Sequence, residues 1–142
     1  MRLSIVKKLK GLLTAAFTFA FCFAVLGCAN EVEKSDTPPT YEQISGKEAK
    51  ELMDSRTDYV IIDARTQSEY ETGHIPGAIL IPEYEIADRA ESELPNKDQL
   101  ILVYCRSGRR SKIAAEELVK LGYTNVKEFG GINDWEYEVV KP

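Results

Sequence analysis

From about Tyr41 onward the sequence predicts an α/β fold, an open parallel β-sheet with helices on both faces in three layers. Three observations predict it. Apolar, largely β-branched runs recur along the chain, segments with helix caps and one apolar face separate them, and the runs are continuous rather than alternating, as in strands covered on both sides.

Taken in order, Ser45-Gly46-Lys47-Glu48 is a capping box, with Ile44 and Ala49 at the staple positions and Ala49, Leu52 and Met53 on one helical face. Tyr59-Val60-Ile61-Ile62 follows as a strand. Thr66-Gln67-Ser68-Glu69 is a second capping box, opening a helix that Gly73 can close. Ala78-Ile79-Leu80-Ile81 is a strand stopped by Pro82, and Ile86, Ala90 and Leu94 lie at helical spacing before a Pro95-Asn96 turn. Leu100 to Tyr104 is the strongest strand. A helix from about Arg109 to Leu121 follows, with Ala114, Leu118 and Leu121 inward and Gly122 closing it. Asn125 to Phe129 reads as a last strand and Asn133 to Tyr137 as a short closing helix, capped by Trp135.

The 142 residues are 44% hydrophobic and 29% charged, an ordinary globular composition. The net charge of −5 is uneven: all four charges before Cys28 are basic, leaving 14 cations against 23 carboxylates, a net −9. A body that acidic repels phosphate backbones, so nucleic-acid binding is excluded. One His and three scattered Cys cannot supply the usual nitrogen and sulfur ligands of zinc. No nucleotide, flavin or haem motif appears, so no cofactor is expected.

Residues 1–27 read as an export signal. A basic flank precedes the 15-residue apolar run Leu12–Leu26, which is short of the roughly 20 residues a spanning helix needs. The ending Val25-Leu26-Gly27-Cys28 resembles a bacterial lipobox, in which the Cys is lipidated and becomes the new N-terminus. The basic flank would stay in the cytoplasm and the remainder would lie outside, tethered to an envelope membrane and facing the periplasm or exterior. Residues 28–40 comprise that Cys and a flexible stalk, because paired prolines and mixed charge offer too little apolar surface to order. The folded domain is expected over residues 41–142.

Cys105-Arg106-Ser107-Gly108-Arg109-Arg110 joins the end of a buried strand to the start of a helix, where open parallel sheets bind their ligands. A loop there can turn successive amides into one concavity, with Gly108 tolerating φ > 0 and the helix adding its positive end. Three arginines in five residues reverse the local charge. Together these are expected to favour the thiolate of Cys105 and to seat an oxyanion. The neighbouring Arg, Ser and Gly do not compose an apolar pocket. Cys22 leaves with the signal and Cys28 would carry lipid, so Cys105 is an unpaired thiol.

Asp63-Ala64-Arg65, Glu69-Tyr70, Gly73-His74-Ile75-Pro76-Gly77-Ala78, the Cys105–Arg110 loop and Gly130-Gly131 before Trp135 resemble the rhodanese-like sulfurtransferase domain. The resemblance spans Tyr41 to the C-terminus and implies a parallel sheet of about five strands. It also implies a Cys that accepts sulfane sulfur as a persulfide, from thiosulfate or a persulfide donor, and yields it to cyanide or a thiol. By match Cys105 is the carrier, and Arg106, Ser107, Gly108, Arg109 and Arg110 form the anion-binding loop. His74 belongs to a turn regarded in that family as scaffold. Asp63, Arg65 and Glu69 read as a hydrogen-bonded or ion-paired brace at the end of the second strand. Two other readings compete. A Cys-based phosphatase or arsenate reductase would set five residues between Cys and Arg, against four between Cys105 and Arg110 here. A sulfur-carrier or redox-partner module with little turnover keeps the same Cys.

Overall fold

A computed structural model describes residues 40–142; the expected signal segment, Cys28 and nearly all of the stalk lie outside the described residues. The elements run β1 (Glu42–Gln43), α1 (Gly46–Ser55), β2 (Tyr59–Asp63), α2 (Gln67–Thr72), β3 (Ala78–Leu80), α3 (Ile86–Glu93), β4 (Leu100–Cys105), α4 (Arg109–Lys120) and β5 (Val126–Gly131). One-turn 3₁₀ segments occupy Glu83–Glu85 and Ile132–Asp134. The five strands form one sheet in the order β1-β5-β4-β2-β3, every neighbouring pair parallel.

The central strand shows why the layers form. All six residues of β4 are buried, and their alternation divides them between two cores. Ile101, Val103 and Cys105 join the cluster built with Ala114, Ala115 and Leu118 of α4 and Ile86 and Ala90 of α3. Leu100, Leu102 and Tyr104 join the opposite cluster with Ala49 of α1 and Phe129. Each fully buried aliphatic side chain contributes about 1.5–3 kcal/mol relative to exposure, so β4 anchors both layers.

Both capping boxes are present: the Ser45 and Thr66 hydroxyls accept the Glu48 and Glu69 amides, and the two carboxylates accept the cap amides in return. Helix α4 ends in a Schellman turn. Gly122, at φ +91°, donates to the Val119 carbonyl and Tyr123 to that of Leu118.

Two elements differ from the sequence expectation. Only four strands were predicted from residue patterns; β1 is a two-residue, exposed edge strand, and pairing with Lys127 and Glu128 of β5, not an apolar run, makes it one. The closing helix expected over Asn133–Tyr137 is absent. After the 3₁₀ turn the chain goes extended at Trp135 and runs to Val140, which pairs with His74 in an antiparallel bridge. Trp135 does pack against the core, between the rings of Phe129 and Tyr137, but from an extended segment rather than from a helix.

Candidate active site

The site begins with an irregularity between β4 and β5. Val103 lies opposite Glu128, but Cys105 lies opposite Gly131, so Phe129 and Gly130 of β5 stand against the single residue Tyr104 of β4. Gly130 takes φ +86° in this bulge, a region that side chains disfavour. Gly131 has a different reason to be glycine: a Cβ there would overlap the carbonyl of Arg106. The Gly-Gly pair thus lets β5 bend and lets the loop after Cys105 lie flat against it.

That loop turns at Gly108, φ +93°, which caps α4 without any side-chain help. The amide groups of the turn are therefore free of a cap and serve the sulfur. Gly108 N–H donates to Cys105 Sγ at 3.1 Å, and the Ser111 hydroxyl, one turn into α4, lies 3.4 Å from the same atom. Cys105 is only 1% exposed and shares a cluster with Val103, Ala114 and Ala115. This corrects the expectation of polar surroundings alone: the thiol sits at the edge of the core, with amides and a hydroxyl over its sulfur. Burial pushes the thiol up, but the Ser111 hydroxyl and the amides of Ser111, Ser107 and Gly108 outweigh it and the net shift is downward. The leading support for the thiolate is hydrogen bonding, not the guanidinium cluster to which the sequence pointed.

The arginines divide. Arg110 is taken up by Glu69, with two hydrogen bonds of 2.7 Å between guanidinium and carboxylate. That guanidinium holds the Glu69 carboxyl down to about 2. Arg106 and Arg109 are exposed and, among the described residues, have no ion-pair partner. A cleft of about 380 Å³ opens beside the loop, with Arg106, Ile132, Trp135 and Val139 among its walls.

The profile of the rhodanese-like domain matches residues 45–138. The chain belongs to the rhodanese-like domain family. It is 40% identical over 80 residues to the thiosulfate sulfurtransferase PspE of Escherichia coli K12, covering 56% of this chain and 77% of that protein. It is 38% identical over 97 residues to the thiosulfate sulfurtransferase GlpE of Coxiella burnetii, covering 68% of this chain and 88% of the relative. Among solved structures, an E. coli rhodanese with anions superposes at a TM-score of 0.56 with 38% identity, over 59% of this chain and 99% of that one.

In this rhodanese-like domain the brace expected from Asp63, Arg65 and Glu69 is two separate devices. Arg65 binds Asp63 through Nε and Nη2 at 2.6–3.0 Å and donates to the Gly73 carbonyl at 2.7 Å. The Tyr104 hydroxyl donates to Asp63 at 2.6 Å and accepts the Ile75 amide. Burial beside that carboxylate pushes the Tyr104 phenol up, keeping it a donor. Glu69 takes no part: it caps α2 and holds Arg110, which ties α2 to α4. His74 stacks on Tyr70 with ring centroids 3.7 Å apart, and its backbone holds Val140. Ser111 and Glu128 were missed at the sequence level. Glu128 was legible, since the alternation Val126, Glu128 turns a carboxylate toward the α4 face; Ser111 carried no such signal.

Proposed function

We propose that this domain is a rhodanese-type sulfurtransferase that carries sulfane sulfur on Cys105 from thiosulfate or a persulfide donor to cyanide or a thiol. The single observation that carries this reading is the Cys105 sulfur held under the Gly108 amide and the Ser111 hydroxyl at the carboxyl end of β4. The thiolate attacks the outer sulfur of thiosulfate. The donor S–S bond breaks and sulfite leaves with its electron pair, while a new S–S bond forms at Cys105. The terminal sulfur carries the negative charge, which the loop amides can accept. A thiophile then bonds to that sulfur, and the Cys105 sulfur departs as thiolate.

Arg106 and Arg109 serve as the attraction for an anionic donor, which must approach a body of net −9. Arg110, which a phosphatase loop would turn onto its phosphate, is committed to Glu69. The test is intact-mass analysis before and after thiosulfate. A gain of one sulfur on Cys105, removed by cyanide and absent in Cys105→Ser, is expected; unchanged thiocyanate production by Cys105→Ser would refute the assignment.

The basic flank, the apolar run and the Leu26-Gly27-Cys28 ending further support export and tethering by lipid on Cys28, facing the periplasm or exterior. Fatty-acid labelling that persists in Cys28→Ser would remove that part of the proposal.

A further inference from the structure

The buried carboxylate of Glu128 has no part in the transfer scheme. It is 3% exposed, and its Oε1 accepts the Gly130 amide at 2.8 Å and the Ser111 hydroxyl at 2.6 Å. No salt bridge reaches it among the described residues. Burying such a group is costly unless its charge is compensated or it holds a proton.

Ser111 is the hinge of the problem. Its single hydroxyl proton has four acceptors in reach: Glu128 Oε1 at 2.6 Å, the Gly108 carbonyl at 3.0 Å, the Gly130 carbonyl at 3.3 Å and Cys105 Sγ at 3.4 Å. One proton cannot serve an ionised carboxylate and a thiolate together. With Cys105, Ser111 and Glu128 all buried, two negative charges in that space would be far more costly than one.

We infer that Cys105, Ser111 and Glu128 form a proton relay in which thiol and carboxylate share one negative charge through the serine. The inference rests on Cys105 being the reacting thiol. At rest the Cys105 S–H donates to Ser111 Oγ, and the Ser111 O–H donates to ionised Glu128. On ionisation the thiol proton passes to Ser111 Oγ while the serine's own proton passes to Glu128 Oε1. The thiolate then accepts from Ser111, Glu128 is a neutral acid donating to Ser111, and the net charge of the buried site is unchanged. When an acceptor takes the outer sulfur, the Cys105 sulfur recovers its electron pair and the proton returns by the same path. Glu128 is a positioning residue: it reaches the sulfur only through Ser111.

Other charges facing this pair are few. On α4, Arg109 and Lys112 are exposed, while Arg110, although held by Glu69, lies near enough for its charge to act on Cys105, and Glu83 of the 3₁₀ segment faces Arg110 in turn. On β1, Glu42 pairs with Lys127, which leaves β5 on the opposite face from Glu128. On α1, Glu48 is occupied in its capping box. From β4 the only titratable group at this end of that face is Cys105.

The test is the rate of iodoacetamide alkylation of the full-length protein from about pH 5 to about pH 10, followed at Cys105 by peptide mass so that Cys22 and Cys28 do not interfere. The wild-type rate should rise in two steps, one for each proton of the pair. Glu128→Gln should give one step and, between the two wild-type steps, about tenfold faster alkylation, the equivalent of one pKa unit. In a Ser111→Ala background the Glu128→Gln shift should shrink to what direct repulsion between the two buried charges leaves. A one-step wild-type profile overturns the relay, as does a Glu128→Gln shift that persists undiminished without Ser111. The wild-type profile needs no variant to fold. Sulfur uptake is read separately: a two-step profile without uptake from thiosulfate would sink the transferase reading and leave the relay standing.

Discussion

Two polar centres lie side by side at the carboxyl ends of β2 and β4, and each is built around arginine. In the first, Arg65 is buried, paired with Asp63 and tied to the Gly73 carbonyl, with Tyr104 closing the network. In the second, Arg106 and Arg109 stand exposed over a loop whose amides face Cys105. The difference lies in satisfaction rather than charge. A buried guanidinium held by a carboxylate and a carbonyl locks strands together; one that is exposed and without an ion-pair partner is available to an anion. Arg110 sits in the second centre by sequence and behaves like a member of the first.

The contrast can be broken most severely at Asp63. Asp63→Ala leaves Arg65 buried without a counterion, which costs about 3–5 kcal/mol. In a domain of this size that lowers Tm by roughly 12 °C or more, and a fall of less than about 4 °C would show that the network contributes little. Arg106→Ala should do the reverse, leaving stability within about 0.5 kcal/mol while raising the donor KM more than it lowers turnover. An unaltered KM for thiosulfate would put donor recognition elsewhere.

Gly131→Ala probes the seam between the two regions. Its Cβ would meet the Arg106 carbonyl, and the forced shift should cost about 1–3 kcal/mol and reduce sulfur uptake by Cys105. Wild-type uptake at wild-type stability would mean the loop has room to move.

The smallest effect concerns Glu69. Its carboxyl, ordinarily near 4.5, is held at about 2 by Arg110 in the folded protein. A depressed folded value means the pair stabilises fully above about pH 4.5 and loses that contribution as pH falls toward about 2. Glu69→Gln should therefore melt below wild type at neutral pH, and the gap should close through that window. A gap that stays constant down to the acid end would show that ionisation of Glu69 is not what holds α2 to α4.

Much of the framework was legible because it is written locally. The capping boxes at Ser45 and Thr66 need only residues three apart, and the apolar runs of β2 and β4 state their own burial. The loop after Cys105 announced itself by its charge reversal and its glycine. What stayed hidden depended on partners distant in sequence. Glu69 and Arg110 are 41 residues apart, so nothing near either shows that they neutralise each other. Likewise β1 is a strand only because β5 lies beside it.

The sequence by itself determined the layered α/β plan, four of its five strands with the helices between them, and the basic, glycine-containing loop after a strand-end Cys, because periodicity, caps and local charge are properties of contiguous residues. Only the tertiary structure decided which arginines remain available, why both Gly130 and Gly131 must be glycine, and what surrounds the sulfur. Those are questions of which distant groups share a hydrogen bond or a volume, and they are answered only once strands that are neighbours in space are known.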